Sequence, residues 1–168
     1  KETGVSAQHM VREMDAGDVY MRKNIIIDCD PGIDDAVALA AAFANRDKLN
    51  ILGICTVAGN QSIDKVTENA LRIVNFLGAP EIPVAKGASE PLVKKACPAA
   101  TVHGENGLGN TELPKGDNVI VSNNAITFME ETIRNLPEGE KITLVPLGPL
   151  TNIALLLKVY PEVKEKID

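Results

Sequence analysis

The chain has 168 residues, 45% of them apolar and 24% charged, with a formal net charge of -6. These proportions suit one globular core of ordinary size, and an acidic balance without a basic cluster excludes a phosphate-backbone partner, so no nucleic-acid role is expected. The longest apolar runs, such as Ala36–Ala42 and Ile153–Leu157, are too short to cross a bilayer, so no membrane role is expected.

Residues 1–23 mix glycine, methionine and charge without a sustained period or an apolar signal region, and Met21-Arg22-Lys23 reads as a native start. They are expected to be a leader-like or tag-like segment, leaving residues 24–168 as the folded domain. From Asn24 onward, strand-like runs alternate with helical patterns, which is the signature of repeated βαβ units and a parallel sheet. The fold class is therefore α/β, with an open, mostly parallel, Rossmann-type sheet flanked by helices.

The first strand is expected over Asn24–Asp28, followed by an Ala-rich helix over Asp35–Asn45 and a second strand over Asn50–Val57. In Ser62–Leu77 the apolar residues Ile63, Val66, Ala70, Ile73, Val74 and Leu77 recur at helical spacing, with Gly78 placed to end the helix. Pro83-Val84-Ala85 is a short third strand. Gly87–Asp117 reads as a long excursion, and an excursion of that length in a compact domain is usually functional. Val119–Ser122 either pairs as a strand or leads into a helix over Asn123–Leu136, whose stripe is Ala125, Ile126, Met129, Ile133 and Leu136. Lys141–Leu147 is a further buried strand, and Gly148–Asn152 turns the chain into the helix Ile153–Tyr160, which Pro161 ends. Glu162–Asp168 should lead into another strand, so the pattern stops with the sheet incomplete at its C-terminal end.

Chemistry concentrates just behind the first strand, where Asp28-Cys29-Asp30-Pro31-Gly32-Ile33-Asp34-Asp35 packs four carboxylates into eight residues. Such charges repel by roughly 1 kcal/mol per pair even in water, so a folded cluster calls for a cation or raised pKa values. Oxygen-only ligation favours a hard ion, Ca²⁺ or Mg²⁺. A solvated turn in which Asp34 or Asp35 caps the next helix accounts for one carboxylate and leaves the others unexplained. The Pro31-Gly32 turn lets carboxylates on both sides of it face one ion, and a neighbouring carboxylate could accept the proton of an activated water, which is hydrolytic machinery. In open α/β sheets ligands bind beyond the carboxyl ends of the strands, where this cluster, Gly59-Asn60 and Leu147-Gly148 all fall.

Other candidates are read beside their ordinary explanations. Asn60 follows Gly59 and is either a turn residue or an amide reaching a ligand hydroxyl. His103, one of two histidines, lies on a Gly-rich loop and is either surface or a substrate contact. Strand alternation turns Cys29 away from Asp28 and Asp30, toward core packing. Three cysteines, Cys29, Cys55 and Cys97, cannot all pair and have no zinc-like spacing, so a reduced, cytoplasmic protein is expected.

The run Asp28-Cys29-Asp30-Pro31-Gly32-Ile33-Asp34-Asp35-Ala36 resembles the DxDPGxDDA signature of the nucleoside hydrolases, the inosine-uridine-preferring N-ribohydrolases. The similarity continues in order through Thr56-Val57-Ala58-Gly59-Asn60, Asn69-Ala70, His103-Gly104-Glu105-Asn106-Gly107-Leu108 and Val145–Asn152. The resemblance implies an enzyme that hydrolyses the N-glycosidic bond of ribonucleosides around a tightly held Ca²⁺. It implies Asp30 as general base and metal ligand, Asp35 as a second carboxylate ligand, and Leu147 as a ligand through its main-chain carbonyl. It further implies Asp34 and Asn60 as ribose contacts, His103 as a side chain near the nucleobase, and Asp28 as a supporting residue. Members of the family run to about twice this span, and the rest carries a further Asp ligand, an adjacent His and more ribose contacts. A homo-oligomer, or a second chain bearing that remainder, is therefore expected, because an isolated half leaves an open sheet edge.

Two other readings stand beside this one. A truncated, non-catalytic relative would act as a binding or oligomeric protein. A haloacid-dehalogenase-type, Mg²⁺-dependent phosphatase would use Asp28 as nucleophile and Asp30 as acid/base, although Pro31-Gly32 does not supply the residues that pattern wants after its second Asp.

Overall fold

A computed structural model describes residues 22–168; the segment expected to be leader-like lies almost wholly outside the described residues. The chain runs β1 (Lys23–Cys29), α1 (Ile33–Ala44), β2 (Leu49–Thr56), α2 (Ile63–Phe76), β3 (Val84–Lys86), a short α3 (Ala100–His103), α4 (Ala125–Arg134), β4 (Ile142–Pro146), α5 (Thr151–Val159) and a 3₁₀ helix over Pro161–Lys166. The strands form one parallel sheet in the order β3-β2-β1-β4, which bears out the α/β expectation.

Alternation along β1 builds two cores. Ile25, Ile27 and Cys29 point to one face, where Leu39 of α1 and Ala70, Ile73 and Val74 of α2 cover them. Ile26 points to the other face and meets Met129 and Ile133 of α4, Leu156 of α5 and Val163 of the 3₁₀ helix. With both faces covered, β1 is buried along almost all its length and reads as the continuous apolar run Ile25-Ile26-Ile27. The register against β2 slips between Ile25 and Ile26, an irregularity that leaves Cys29 beside Thr56 at the carboxyl end.

Local chemistry accounts for the differences from the expected boundaries. α1 starts at Ile33, earlier than expected, because Asp35 at its third position accepts from the Gly32 amide at 3.2 Å and closes the first turn. α4 starts after Asn124, whose side chain accepts from the amides of Ile126 and Thr127 at 3.1 and 3.2 Å. The long excursion contains α3, a single turn that apolar periodicity has too few residues to reveal. Val121 and Ser122 do pair, alongside β3: the Val121 amide donates to the Val84 carbonyl and the Lys86 amide to the Ser122 carbonyl, both at 2.9 Å. The segment after Pro161 is 3₁₀ before it turns extended, and Ile167 then bridges to Ile142 on the outer side of β4.

Candidate active site

β1 carries Asp28 to the carboxyl edge of the sheet, and Asp30 follows directly after the strand. The Pro31-Gly32 turn then reverses into α1, so Asp34 and Asp35 fall in its first turn. Asn60, in the loop after β2, knits the two sides together. Its main-chain amide donates to Asp30 Oδ2 at 2.7 Å, and its Nδ2 donates to the Asp30 carbonyl at 3.0 Å and to Asp35 Oδ2 at 3.3 Å. Asn60 thus serves the acid cluster itself in this structure. Glycines hug the same carboxylate: a Cβ on Gly59 would stand 2.1 Å from Asp30 Oδ2, and one on Gly148 would stand 2.7 Å from Asp30 Oδ1. Only residues without side chains let both loops close on Asp30.

The cluster is strongly desolvated. Burial pushes the Asp28 carboxyl up to about 7, with the Asn152 hydrogen bond opposing and the Asp30 charge adding to the rise. Asp30 is pushed up to about 6 by burial, against the Asn60 amide, with Asp35 adding repulsion. Asp35 is also raised, first by burial. Asp28 Oδ2 and Asp35 Oδ1 are buried with no hydrogen-bond partner among the described residues. A buried carboxylate oxygen without a donor is costly, and a hard divalent cation is the chemistry that would offset it. The donors present are all oxygens and fit such an ion. They do not close a cage: among the described residues no group of three or more His, Cys, Asp or Glu is arranged to hold a metal.

Leu147 and Gly148, after β4, are pinned to the same edge, since their amides donate to the Asp28 carbonyl at 2.8 and 3.3 Å. His103 is buried at the end of α3, where Nδ1 accepts from the Ile33 amide at 3.4 Å and lies 3.9 Å from Asp34 Oδ1. Three side chains around α2 hold its loop in place: Gln61 donates to the Gly104 carbonyl, Lys65 to that of Glu105, and Asn69 to those of Pro31 and Asn106. Asp28, Asp30, Asp35, Asn60 and the Leu147-Gly148 turn therefore converge. Asp34, whose side chain is 79% exposed, lies beside His103 on the margin of that group, with its Oδ1 3.9 Å from Nδ1. A cavity of about 440 Å³ opens beside Asp30 and Asn60, bounded by Glu90, Cys97 and Pro149.

Sequence reasoning left one residue of this site without a role. Asn152, at the start of α5, donates to Asp28 Oδ1 at 2.7 Å. Its place in the Val145–Asn152 run and at the start of the helix that follows β4 are the signals that could have singled it out. Full burial also argues against the phosphatase reading, because Asp28 has 0% exposure and no path to attack a substrate.

A parallel sheet with clustered carboxylates and apposed glycine loops at its carboxyl edge defines an acidic α/β site, and residues 25–168 match the family described as inosine-uridine preferring nucleoside hydrolase. The chain belongs to that family. It is 48% identical over 148 residues to the pyrimidine-specific ribonucleoside hydrolase RihA of Shewanella sp. (strain MR-7), covering 88% of this chain and 46% of the relative. Among solved structures it is similar to the purine-preferring ribonucleoside hydrolase from Gardnerella vaginalis, with 34% identity and TM-score 0.77 over 86% of this chain and 46% of that one. The plant nucleoside hydrolase PpNRh1 gives 35% identity and TM-score 0.79 over 88% and 46%. The chain thus spans a little under half the length of the relatives it matches.

Proposed function

We propose that the protein to which this chain belongs hydrolyses the N-glycosidic bond of ribonucleosides to free base and ribose. The observation that carries this reading is the convergence of Asp28, Asp30, Asp35 and Asn60 at one sheet edge, with two buried carboxylate oxygens unpartnered among the described residues. Asp30, Asp35 and the Leu147 carbonyl would hold Ca²⁺, which when bound supplies fixed positive charge and Lewis acidity. Asp30 acts as general base: its carboxylate, fixed by the Asn60 amide at 2.7 Å, takes the proton of the attacking water. Asn60, having fixed Asp30 and Asp35, and Asp34, exposed on the first turn of α1, contact the ribose hydroxyls. Negative charge gathered beneath the sugar favours an oxocarbenium-like transition state. His103 sits toward the nucleobase, and Asp28 supports the cluster from below.

The higher identity to a pyrimidine-specific relative makes uridine and cytidine the first substrates to test, with inosine beside them. Three unpaired cysteines fit a cytoplasmic setting. A homo-oligomer or a second chain is part of this reading, and light scattering on the purified full-length protein tests it directly.

Ribose release by the full-length protein tests the activity. Calcium-dependent release is expected, abolished by EGTA, with Asp30→Ala lowering kcat by about 10²- to 10⁴-fold, the usual worth of a general base. Failure to cleave any nucleoside of the panel with calcium present would refute the reading.

A further inference from the structure

The acid end of β1 is held by a side chain from far along the sequence. Asn152 is the second residue of α5 and is wholly buried. Its Nδ2 donates to Asp28 Oδ1 at 2.7 Å and to the Thr56 carbonyl at 2.9 Å, while its Oδ1 accepts from the Ala88 amide at 2.9 Å. Both amide hydrogens and the carbonyl oxygen are in use, and their partners stand at the ends of β1 and β2 and just past β3. Gly87 completes the seat: a Cβ there would lie 2.3 Å from the Thr56 carbonyl oxygen and 2.4 Å from Asn152 Nδ2. Among the described residues Asn152 is the only hydrogen-bond donor to the Asp28 side chain. Asp28 in turn receives the Leu147 and Gly148 amides on its main-chain oxygen, and Gly148 lies against Asp30 Oδ1.

We infer that Asn152 is a positioning residue, the clamp that joins three strand ends and sets the orientation of Asp28 and, through it, the turn that flanks Asp30. Its kinetic consequence rests on the nucleoside hydrolase reading; its structural consequence does not. An amide that satisfies a buried carboxylate behind the proposed ligands does the work of an outer coordination shell, whose loss usually weakens metal affinity or activity by about 10- to 100-fold.

The test uses the full-length protein with Asn152→Ala, the near-isosteric Asn152→Asp, and Leu156→Ala, a fully buried core position on the same helix, as a control. Thermal melting, calcium affinity by calorimetry with CaCl₂, and kcat and KM for ribose release are measured on each. Both Asn152 variants are expected to lose about 10- to 100-fold in calcium affinity or kcat, with KM changed by less than roughly threefold. Leu156→Ala is expected to lower the melting temperature at least as far while keeping kcat and calcium affinity within roughly threefold of the parent. Retention of both quantities by the Asn152 variants, or their equal loss in Leu156→Ala, overturns the inference. If the parent itself releases no ribose, the hydrolase reading fails alone, and a crystal structure of Asn152→Ala decides the clamp. A displaced Asp28 carboxylate upholds it, and an unmoved one overturns it.

Discussion

Replacing Asp28 by Asn keeps the shape of the side chain and removes its charge, so the variant isolates what burying that charge costs. In the folded chain burial pushes the carboxyl up to about 7, against an ordinary value of 3.8. The native state therefore binds this proton more tightly than the unfolded chain does. Its stabilising contribution is complete below about pH 4, is lost as pH rises to about 7, and stays lost above that. At about 1.36 kcal/mol per pKa unit, that interval sets an upper bound of roughly 4 kcal/mol. Relaxation and the effective dielectric of real interiors bring the expected figure nearer 2 kcal/mol. Urea unfolding of the parent and of Asp28→Asn in EGTA, with circular dichroism midpoints read at a shared slope, measures it. Parent and variant should be similar at about pH 4, and the variant should be more stable by about 2 kcal/mol at about pH 8. Added calcium should shrink the gap, because the ion stabilises both proteins but favours the parent, which keeps the negative charge of Asp28 beside it. A difference that stays flat across this range, or a parent that gains on the variant as pH rises in EGTA, would refute the buried-charge argument.

Two further substitutions probe the loops and the scaffold separately. Gly59→Ala drives a Cβ to 2.1 Å from Asp30 Oδ2 and into the Pro149 ring, so the carboxylate must shift and its 2.7 Å bond to the Asn60 amide must yield. A displacement of that order should cost about 100-fold in kcat/KM, read by initial-rate kinetics on the best nucleoside of the panel. Asn124→Ala removes the acceptor for the Ile126 and Thr127 amides at the start of α4, far from the carboxylates in role. Chemical denaturation should show a loss of about 1 kcal/mol, with kcat unchanged.

Much of this protein is legible in its sequence. Strand and helix alternation is a local signal, carried by Ile25-Ile26-Ile27 for β1 and by the Ile63-to-Val74 spacing for α2, and both elements form where it says they should. The grouping of Asp28, Asp30 and Asp35 was readable because they are close in sequence and follow a strand. Less readable were the irregular parts. The turn α3 and the 3₁₀ helix after Pro161 are too short to show a period, and the pairing of Val121 with Val84 depends on a neighbour remote in sequence.

The sequence by itself determined the order of the elements, the acid run at the end of β1 and the family to which the chain belongs, because period, turn residues and motif are properties of neighbouring positions. Tertiary structure alone decided which carboxylates lose their water, which oxygens stay unpartnered, and that Asn60 binds Asp30 and Asp35 together. It also decided that Asp28 is held by an amide 124 positions away. Burial and hydrogen bonding depend on what the fold brings alongside a residue, and no local pattern encodes a partner at that separation.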